Sequence, residues 1–291
     1  MPVTKVDVRP AFNIGQPLVQ VTTARGGRMY ELPFIEGTPK VPSVTSIISD
    51  TIRAVGLEYW RQGWVKTGLQ SHSGEVIDDE VIADILGLAD AEASRSASVG
   101  SELHEILSHL IHAGGSFDIE DELFVSDQLY PAVKAYKKWE ETEMKDWEAV
   151  SSEEAVWMYE RKDMQFAGTV DAIFRNGSNL LLVDFKTSSS TQDSHMLQLA
   201  AYKLALVNML HHQADIHPSS NGKGHAVPFN IEACVLRFVN DLPRDSNHKK
   251  DRTQDKIFEE AVEVTKVDDT WVEAFIHLYE LYTIRKTNPI R

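Results

Sequence analysis

Two apolar segments in the middle of the chain carry charged residues where a core strand normally has none. Residues 168–187 read GTVDAIFRNGSNLLLVDFKT. Apolar and β-branched side chains on both sides of Asn176-Gly177 predict two antiparallel strands joined by a tight turn. Asp171 interrupts the first strand, and Asp184 follows the apolar run of the second. A chain that forms this hairpin must therefore provide partners for two carboxylates within its sheet.

The second strand indicates what those carboxylates do. Because alternate side chains of a strand share a face, we expect Asp184 and Lys186 on one face and Phe185 on the other. Asp171, on the neighbouring strand, is expected close by. Two carboxylates in a poorly hydrated place disfavour joint ionisation, and a divalent cation between them removes that conflict. A lysine there can orient or deprotonate a water molecule, or stabilise charge on a phosphoryl group. The alternative is an ion pair on a half-exposed strand, but residues 180–183 are all apolar, which is typical of strands covered on both faces.

The order of the other segments predicts one α/β domain over residues 1–291, with a helical elaboration in its N-terminal half. Strands are expected in a hairpin over 18–33 with its turn at Gly26-Gly27, and over 154–159, 166–174, 180–185 and 231–239. Helices are expected at 42–48, 56–70, 76–113, 126–143 and 194–212, with a loop at 213–230 and one or two helices at 259–286. The domain thus divides into an N-terminal hairpin (1–40), a helical part (42–145), a catalytic core (150–240) and C-terminal helices (255–291).

Composition excludes several classes of protein. No apolar run approaches the roughly 20 residues that cross a bilayer, and the first residues resemble neither a secretory signal nor a transit peptide, so we expect a cytoplasmic protein without membrane contact. The single cysteine, Cys234, excludes an internal disulfide and a cysteine-ligated iron–sulfur cluster. A net charge of −15 argues against a general nucleic-acid coat protein. It leaves room for an enzyme that contacts phosphates through metal ions and a few cations.

Two further patterns belong with the hairpin. His104 lies in a helix with apolar residues at helical spacing, where it is either a partly buried structural histidine or a metal ligand through a neutral imidazole nitrogen. Gln198 and Tyr202 are four residues apart on the helix after Lys186, so they share a face, which His195 extends. An ordinary amphipathic helix also has this spacing, but such a stripe can equally face a phosphate or the lysine.

Taken together, these residues resemble the PD-(D/E)XK nuclease superfamily, in particular the RecB-type exonucleases of phages and of mitochondrial genome maintenance. The resemblance rests on GSELH (100–104), GTVD (168–171), VDFKTS (183–188) and QLAAY (198–202), in this order. It implies a restriction-endonuclease-like core, a mixed central sheet flanked by helices, with the N-terminal helices over the active site. It also implies that His104, Asp171 and Asp184 ligate Mg²⁺ or Mn²⁺, that Lys186 is the catalytic lysine, and that Gln198 and Tyr202 support it. Glu154 matches a recurrent glutamate of the family.

The resemblance implies a metal-dependent deoxyribonuclease that hydrolyses phosphodiester bonds of DNA, from an end and on single strands, in replication, recombination or repair. Ser101, Thr187 and Ser188 are candidates for nucleic-acid contacts beside the site. Lys249 and Lys250, in a segment rich in cations, are candidates for contacts to the phosphate backbone. Tyr59, Trp60 and Trp64 are either core aromatics or stack on bases.

Two other functions stay open at this point, and so does a generic α/β domain whose matches to these motifs arise by chance. An RNA endonuclease of the cap-snatching kind uses a similar arrangement of histidine, acidic residues and lysine. A catalytically silent nucleic-acid-binding or assembly module is favoured by the net acidity, but such a module has no need to keep all four of His104, Asp171, Asp184 and Lys186.

Overall fold

The computed structural model describes residues 18–22, 27–52, 55–112, 125–159, 161–216, 230–241 and 256–288. In these ranges the chain forms eight strands and six helices. The strands are β1 (Val19–Thr22), β2 (Arg28–Glu31), β3 (Lys40–Pro42), β4 (Glu148–Met158), β5 (Phe166–Asn176), β6 (Asn179–Lys186), β7 (Asn230–Asp241) and β8 (Ile257–Lys266). The helices are α1 (Val44–Thr51), α2 (Val55–Ser71), α3 (Asp79–His112), α4 (Tyr130–Glu143), α5 (Asp193–Ile216) and α6 (Asp269–Thr287).

The central sheet has five strands in the order β4-β5-β6-β7-β8. Neighbouring strands are antiparallel except β6 and β7, which are parallel. Parallel neighbours need a crossover connection, and the chain between them contains α5. The α/β fold with a mixed sheet flanked by helices is confirmed, and it is consistent with a restriction-endonuclease-like core.

Each face of this sheet is covered by a different set of helices. On one face, apolar residues of α1, α5 and α6 pack against the sheet in one cluster. On the other, residues of α3 and α4 form a second cluster around Phe174, Phe185 and Phe238. Leu180, Leu182 and Val183 of β6 are fully buried, as the apolar run predicts. The sheet is therefore the middle layer of three, and α3 lies across the face opposite to α5.

A small antiparallel sheet of β1, β2 and β3 precedes the helices. Tyr30 and Val41 contribute to the same cluster as α1 and α5, and Ser43 forms a bridge to Ala167 of β5. Ser43 also begins α1, because its hydroxyl accepts a hydrogen bond from the amide of Ser46 at 3.0 Å. The predicted hairpin and the short helix after Pro42 are both present.

Two expectations from the sequence are wrong. Residues 257–266 form β8, the edge strand of the central sheet, rather than part of the C-terminal helices. Their sequence, IFEEAVEVTK, has the apolar–polar alternation of a strand at Val262–Thr265, and Phe258 is buried in the cluster that contains α3 and α4. The segment predicted as one or two C-terminal helices therefore contains one helix, α6, after this strand. In addition, α5 continues to Ile216, into the predicted loop. In the described part of the chain, no helix combines the length and apolar character that spanning a membrane requires.

Candidate metal centre

The two aspartates of the central hairpin lie where β5 and β6 stop pairing. The register of these strands runs from Asn176 opposite Asn179 to Ala172 opposite Val183. Beyond that point a side chain replaces the backbone partner, since Asp171 Oδ2 accepts a hydrogen bond from the amide of Phe185 at 2.7 Å. The carboxylate of Asp171 is thereby fixed at the end of the sheet, next to the strand that carries Asp184.

Asp184 is buried without the hydrogen bonds that a buried carboxylate normally has. Its side chain is 1 % exposed, and the ammonium of Lys186 lies 2.5 Å from Oδ2. Among the described residues, neither oxygen of Asp184 accepts a hydrogen bond of acceptable geometry. An ion pair therefore compensates its charge only in part, and oxygen atoms remain to bind a further cation.

His104, on α3, lies at the same end of the sheet as Asp171 and Asp184. Its Nε2 donates to the carbonyl oxygen of Phe185 at 3.0 Å, and its Nδ1 lies 3.6 Å from Oδ1 of Asp171. With Nε2 as the donor, Nδ1 faces a carboxylate oxygen, with a lone pair when the ring is neutral and with a proton when it is charged. Two electron-rich atoms face each other favourably only across a cation or a proton. The orientation of His104 by a backbone carbonyl is typical of metal-ligating imidazoles.

Glu153 is a further acidic residue at this site, and the sequence analysis missed it. Ligand atoms of Glu153, His104 and Asp171 all lie within 4.8 Å of one another, so these three side chains are able to share one metal ion. Glu153 has φ = +52° within β4, a conformation that costs a non-glycine residue about 1–3 kcal/mol. Strain of this kind concentrates at functional sites, and here it accompanies a carboxylate that faces Asp171.

Glu154, which the sequence analysis singled out, has a different environment. It is opposite Val170 in the ladder of β4 and β5, it is buried, and it accepts a hydrogen bond from the hydroxyl of Ser151. Among the described residues, the three side chains close enough to share a metal ion include Glu153 rather than Glu154. The adjacent pair Glu153-Glu154 was visible in the sequence, but only the backbone of β4 determines which one faces Asp171.

The charges at this centre are unbalanced. Burial raises the pKa values of both Asp171 and Asp184 above their usual range, although Lys186 and His104 act in the opposite direction. Glu153 is exposed as a residue, but the atoms around its carboxyl desolvate it and raise its pKa as well. Burial alone would lower the pKa of Lys186, but Asp184 and Asp171 outweigh it, so the net shift is upward and the side chain is a cation at neutral pH. Three carboxylates around one ammonium fit a divalent cation.

Gln198 and Tyr202 lie together on α5, on the opposite face of the sheet from His104. The side-chain amide of Gln198 donates to the hydroxyl of Tyr202 at 3.0 Å. Burial raises the pKa of Tyr202, with a further contribution from the charge of Asp184, so the phenol stays neutral. Burial and the charge of Lys186 lower the pKa of His195 to about 4, which keeps this imidazole neutral too. The predicted polar stripe therefore presents uncharged groups beside Asp184 and Lys186.

The ring of Tyr202 packs directly on Gly168. A Cβ atom at Gly168 would lie 2.3 Å from a ring carbon of Tyr202. This distance is far below van der Waals contact, so the ring would have to shift. We expect Gly168→Ala to lower the free energy of unfolding by about 1–3 kcal/mol and to reduce activity, because Tyr202 must move away from the site. Urea unfolding measures the first effect. Gly87→Ala is the control, since nothing lies within 4 Å of its added methyl group and alanine favours the helix. Equal stability of Gly168→Ala and wild type would contradict this packing.

The remaining candidates are more scattered. Ser101 is exposed on α3, and Thr187 and Ser188 directly follow Lys186. Trp64 is 7 % exposed, which leaves no face for a base, whereas Tyr59 is 71 % exposed on the same helix. Lys249 and Lys250 lie outside the described residues, so their contacts with nucleic acid stay a prediction.

Comparison with known proteins agrees with this geometry. A family model described as the PD-(D/E)XK nuclease superfamily matches residues 81–283, from the first turn of α3 into α6. A search of the curated proteins finds no match to the chain. The matched range contains His104, Glu153, both aspartates, the lysine and the Gln198–Tyr202 pair.

Proposed function

Because the chain belongs to the PD-(D/E)XK nuclease superfamily, we propose that it is a divalent-metal-dependent DNA exonuclease of the RecB type. It would hydrolyse phosphodiester bonds at single-stranded ends during replication, recombination or repair, as the phage and mitochondrial exonucleases that it resembles do. The observation that carries the proposal is the buried carboxylate of Asp184, which contacts Lys186 and lacks hydrogen bonds among the described residues. The ion pair reaches only Oδ2, so Oδ1 stays buried without a partner among the described residues, which a purely structural ion pair would not leave.

The proposed ligands are Nδ1 of His104 and carboxylate oxygens of Asp171 and Asp184, with Glu153 added to this set. Bound Mg²⁺ or Mn²⁺ would lower the pKa of a coordinated water and neutralise charge on the scissile phosphate. The imidazole nitrogen makes Mn²⁺ the expected better activator, since Mg²⁺ prefers oxygen ligands. The hydrogen bond from Nε2 to the carbonyl of Phe185 supports this assignment, because it leaves Nδ1 available.

Lys186 would act as a cation in the reaction. Its ammonium, held beside Asp184, is in position to stabilise negative charge on the phosphoryl oxygens as the bond to the leaving group breaks. Tyr202 and Gln198 would hold the water or the phosphate with neutral hydrogen bonds, because neither adds charge to an already charged site. The leaving oxygen would take its proton from solvent.

We also propose that residues 1–291 form a single nuclease domain. Two observations support this organisation: the family match begins within α3, and the small N-terminal sheet shares a hydrophobic cluster with α5 and β5. The helices before residue 113 would then cover the metal centre, with α3 supplying His104 directly.

Digestion of end-labelled single-stranded DNA tests the proposed activity. We expect loss of label with Mn²⁺ or Mg²⁺, none with EDTA, and none with the Asp184→Asn variant under any condition. RNA of the same sequence is the parallel substrate, and cleavage of RNA alone would identify an RNA endonuclease. No cleavage of either, together with no heat of Mn²⁺ binding in calorimetric titration, would identify a binding module instead.

A further inference from the structure

A second polar site lies beside the metal centre, in a small open cleft between α3 and the strand ends. Residues 92, 95, 96 and 99 of α3 line one wall, since they lie on one side of the helix. Thr187, the residue after Lys186, and Lys256, the residue before β8, line the other. Its cavity volume is about 20 Å³, far below that of small-molecule pockets, so it has room for one compact group at its open mouth.

Among the described residues that line the cleft, cations outnumber carboxylates. Arg95 and Lys256 supply two cations, and Glu92 supplies one carboxylate, which lies 2.5 Å from the guanidinium of Arg95. Burial lowers the pKa of Lys256, Glu92 opposes this, and the charge of Arg95 adds a smaller downward effect. An anion at the mouth of the cleft would be a second partner, besides Glu92, for these two cations.

Backbone contacts connect the cleft to the metal centre. The carbonyl oxygen of Thr187 accepts hydrogen bonds from Asn240 Nδ2 at 3.0 Å and from Lys256 Nζ at 3.4 Å. The long second bond leaves the ammonium of Lys256 with hydrogen atoms to donate elsewhere. The hydroxyl of Thr187 also faces Gly100 of α3, one turn before His104. The cleft is thus built on the same two elements that hold His104 and Lys186.

From this placement we propose that the cleft binds a backbone phosphate of the nucleic-acid strand, next to the scissile phosphate. Arg95 and Lys256 are its charged donors, and Gln128 holds Lys256 by donating to its carbonyl oxygen at 3.3 Å. A phosphodiester carries a single negative charge, which suits the pair of cations on the described walls of the cleft. Successive phosphates of one strand occupy neighbouring positions along such a groove. The inference rests on the proposed function, because it takes the substrate strand from the metal centre into this cleft.

Salt-dependent binding tests the proposal. Fluorescence anisotropy measures the affinity of labelled oligodeoxythymidylate for the full chain in EDTA, over a range of salt concentrations. The variant Arg95→Ala with Lys256→Met, which keeps the apolar stem of the lysine, is expected to bind about tenfold or more weakly. The slope of log K against log salt should fall by about 1. The control is Lys134→Ala with Arg175→Ala, which removes the same charge from two ion-paired surface positions and should keep the wild-type slope.

Each possible outcome of this experiment either supports or overturns the phosphate site. An unchanged affinity and slope in the cleft variant, with wild type cleaving DNA, overturns the phosphate site and leaves the nuclease proposal intact. Equal weakening by the surface control attributes the effect to net charge and also overturns it. Wild type that neither binds nor cleaves nucleic acid overturns the proposed function and this inference with it. Circular dichroism of each variant excludes unfolding as the cause.

Discussion

Replacing Lys186 with methionine is expected to reduce DNA cleavage about 10³-fold while leaving DNA binding in EDTA nearly unchanged. The ammonium contacts Asp184 at 2.5 Å, and the surrounding carboxylates keep it protonated. In the proposed mechanism it acts as a fixed positive charge, which arginine replaces in part. A general base would have to lose its proton, which arginine does not do at accessible pH. We thus expect Lys186→Arg to retain more activity than Lys186→Met, measured by the initial rate of label release.

Lys203→Met is the matched control for this experiment. Lys203 is 19 % exposed, against 20 % for Lys186, and it too forms an ion pair, with Asp269 at 2.7 Å. It lies on α5 and pairs with α6, so the same loss of charge and packing occurs away from the proposed ligands. Similar rates for Lys186→Met and Lys203→Met would exclude a catalytic role for Lys186. Equal, complete loss in Lys186→Met and Lys186→Arg would favour proton transfer over charge stabilisation.

The sequence predicts the central part of this fold well because its strands are long, apolar and separated by a clear turn. The hairpin of β5 and β6 and the helix that follows are where alternation and helical spacing predict them. Residues 257–266 were predicted as helix because short apolar segments fit both periods. Their strand conformation depends on pairing with β7, a contact that lies more than 20 positions away for most of their residues.

The candidate site shows a similar division. Alternation alone predicts that Asp184 and Lys186 share a face, and the two side chains are in contact. The proximity of Asp171 to Asp184 follows from the antiparallel pairing of β5 and β6 in the hairpin. Glu153 could not be found in this way, because its position depends on a left-handed backbone at one residue of β4 and on a register shift between Ala149 and Ser151. Irregular backbone of this kind leaves no periodic signal in a sequence.

The metal centre should also cost the protein stability when no metal is bound, and Asp171→Asn measures that cost. The pKa of Asp171 is raised in the folded state, mainly by burial, so the folded state binds more protons than the unfolded chain between the two pKa values. Stability is consequently lost as the pH rises through the folded-state pKa, and it stays lowered at neutral pH. Asparagine removes the charge, and its side-chain oxygen can still accept the hydrogen bond from the amide of Phe185.

We therefore expect Asp171→Asn to unfold at a higher temperature than wild type in EDTA at pH 7, and to lose DNA cleavage. Mn²⁺ should raise the melting temperature of wild type, because a ligand at a hundredfold excess over its Kd stabilises the folded state by about 2.7 kcal/mol. It should have little effect on the variant. The two proteins should also converge in stability as the pH is lowered below the unfolded-state pKa, where the carboxyl group of wild type is neutral in both states.

Asp163→Asn is the control, because the pKa of Asp163 is shifted in the opposite direction to that of Asp171. Asp163 is an exposed aspartate whose pKa is lowered by its hydrogen bond to Arg161, so its charge does not oppose folding. Its replacement should not raise the melting temperature, and Mn²⁺ should stabilise that variant as it does wild type. A lower melting temperature for Asp171→Asn in EDTA would mean that its carboxylate is compensated without metal. An undiminished Mn²⁺ effect in Asp171→Asn would place the ion on other ligands, because a carboxylate that ligates a divalent cation cannot be replaced by an amide without weakening its binding.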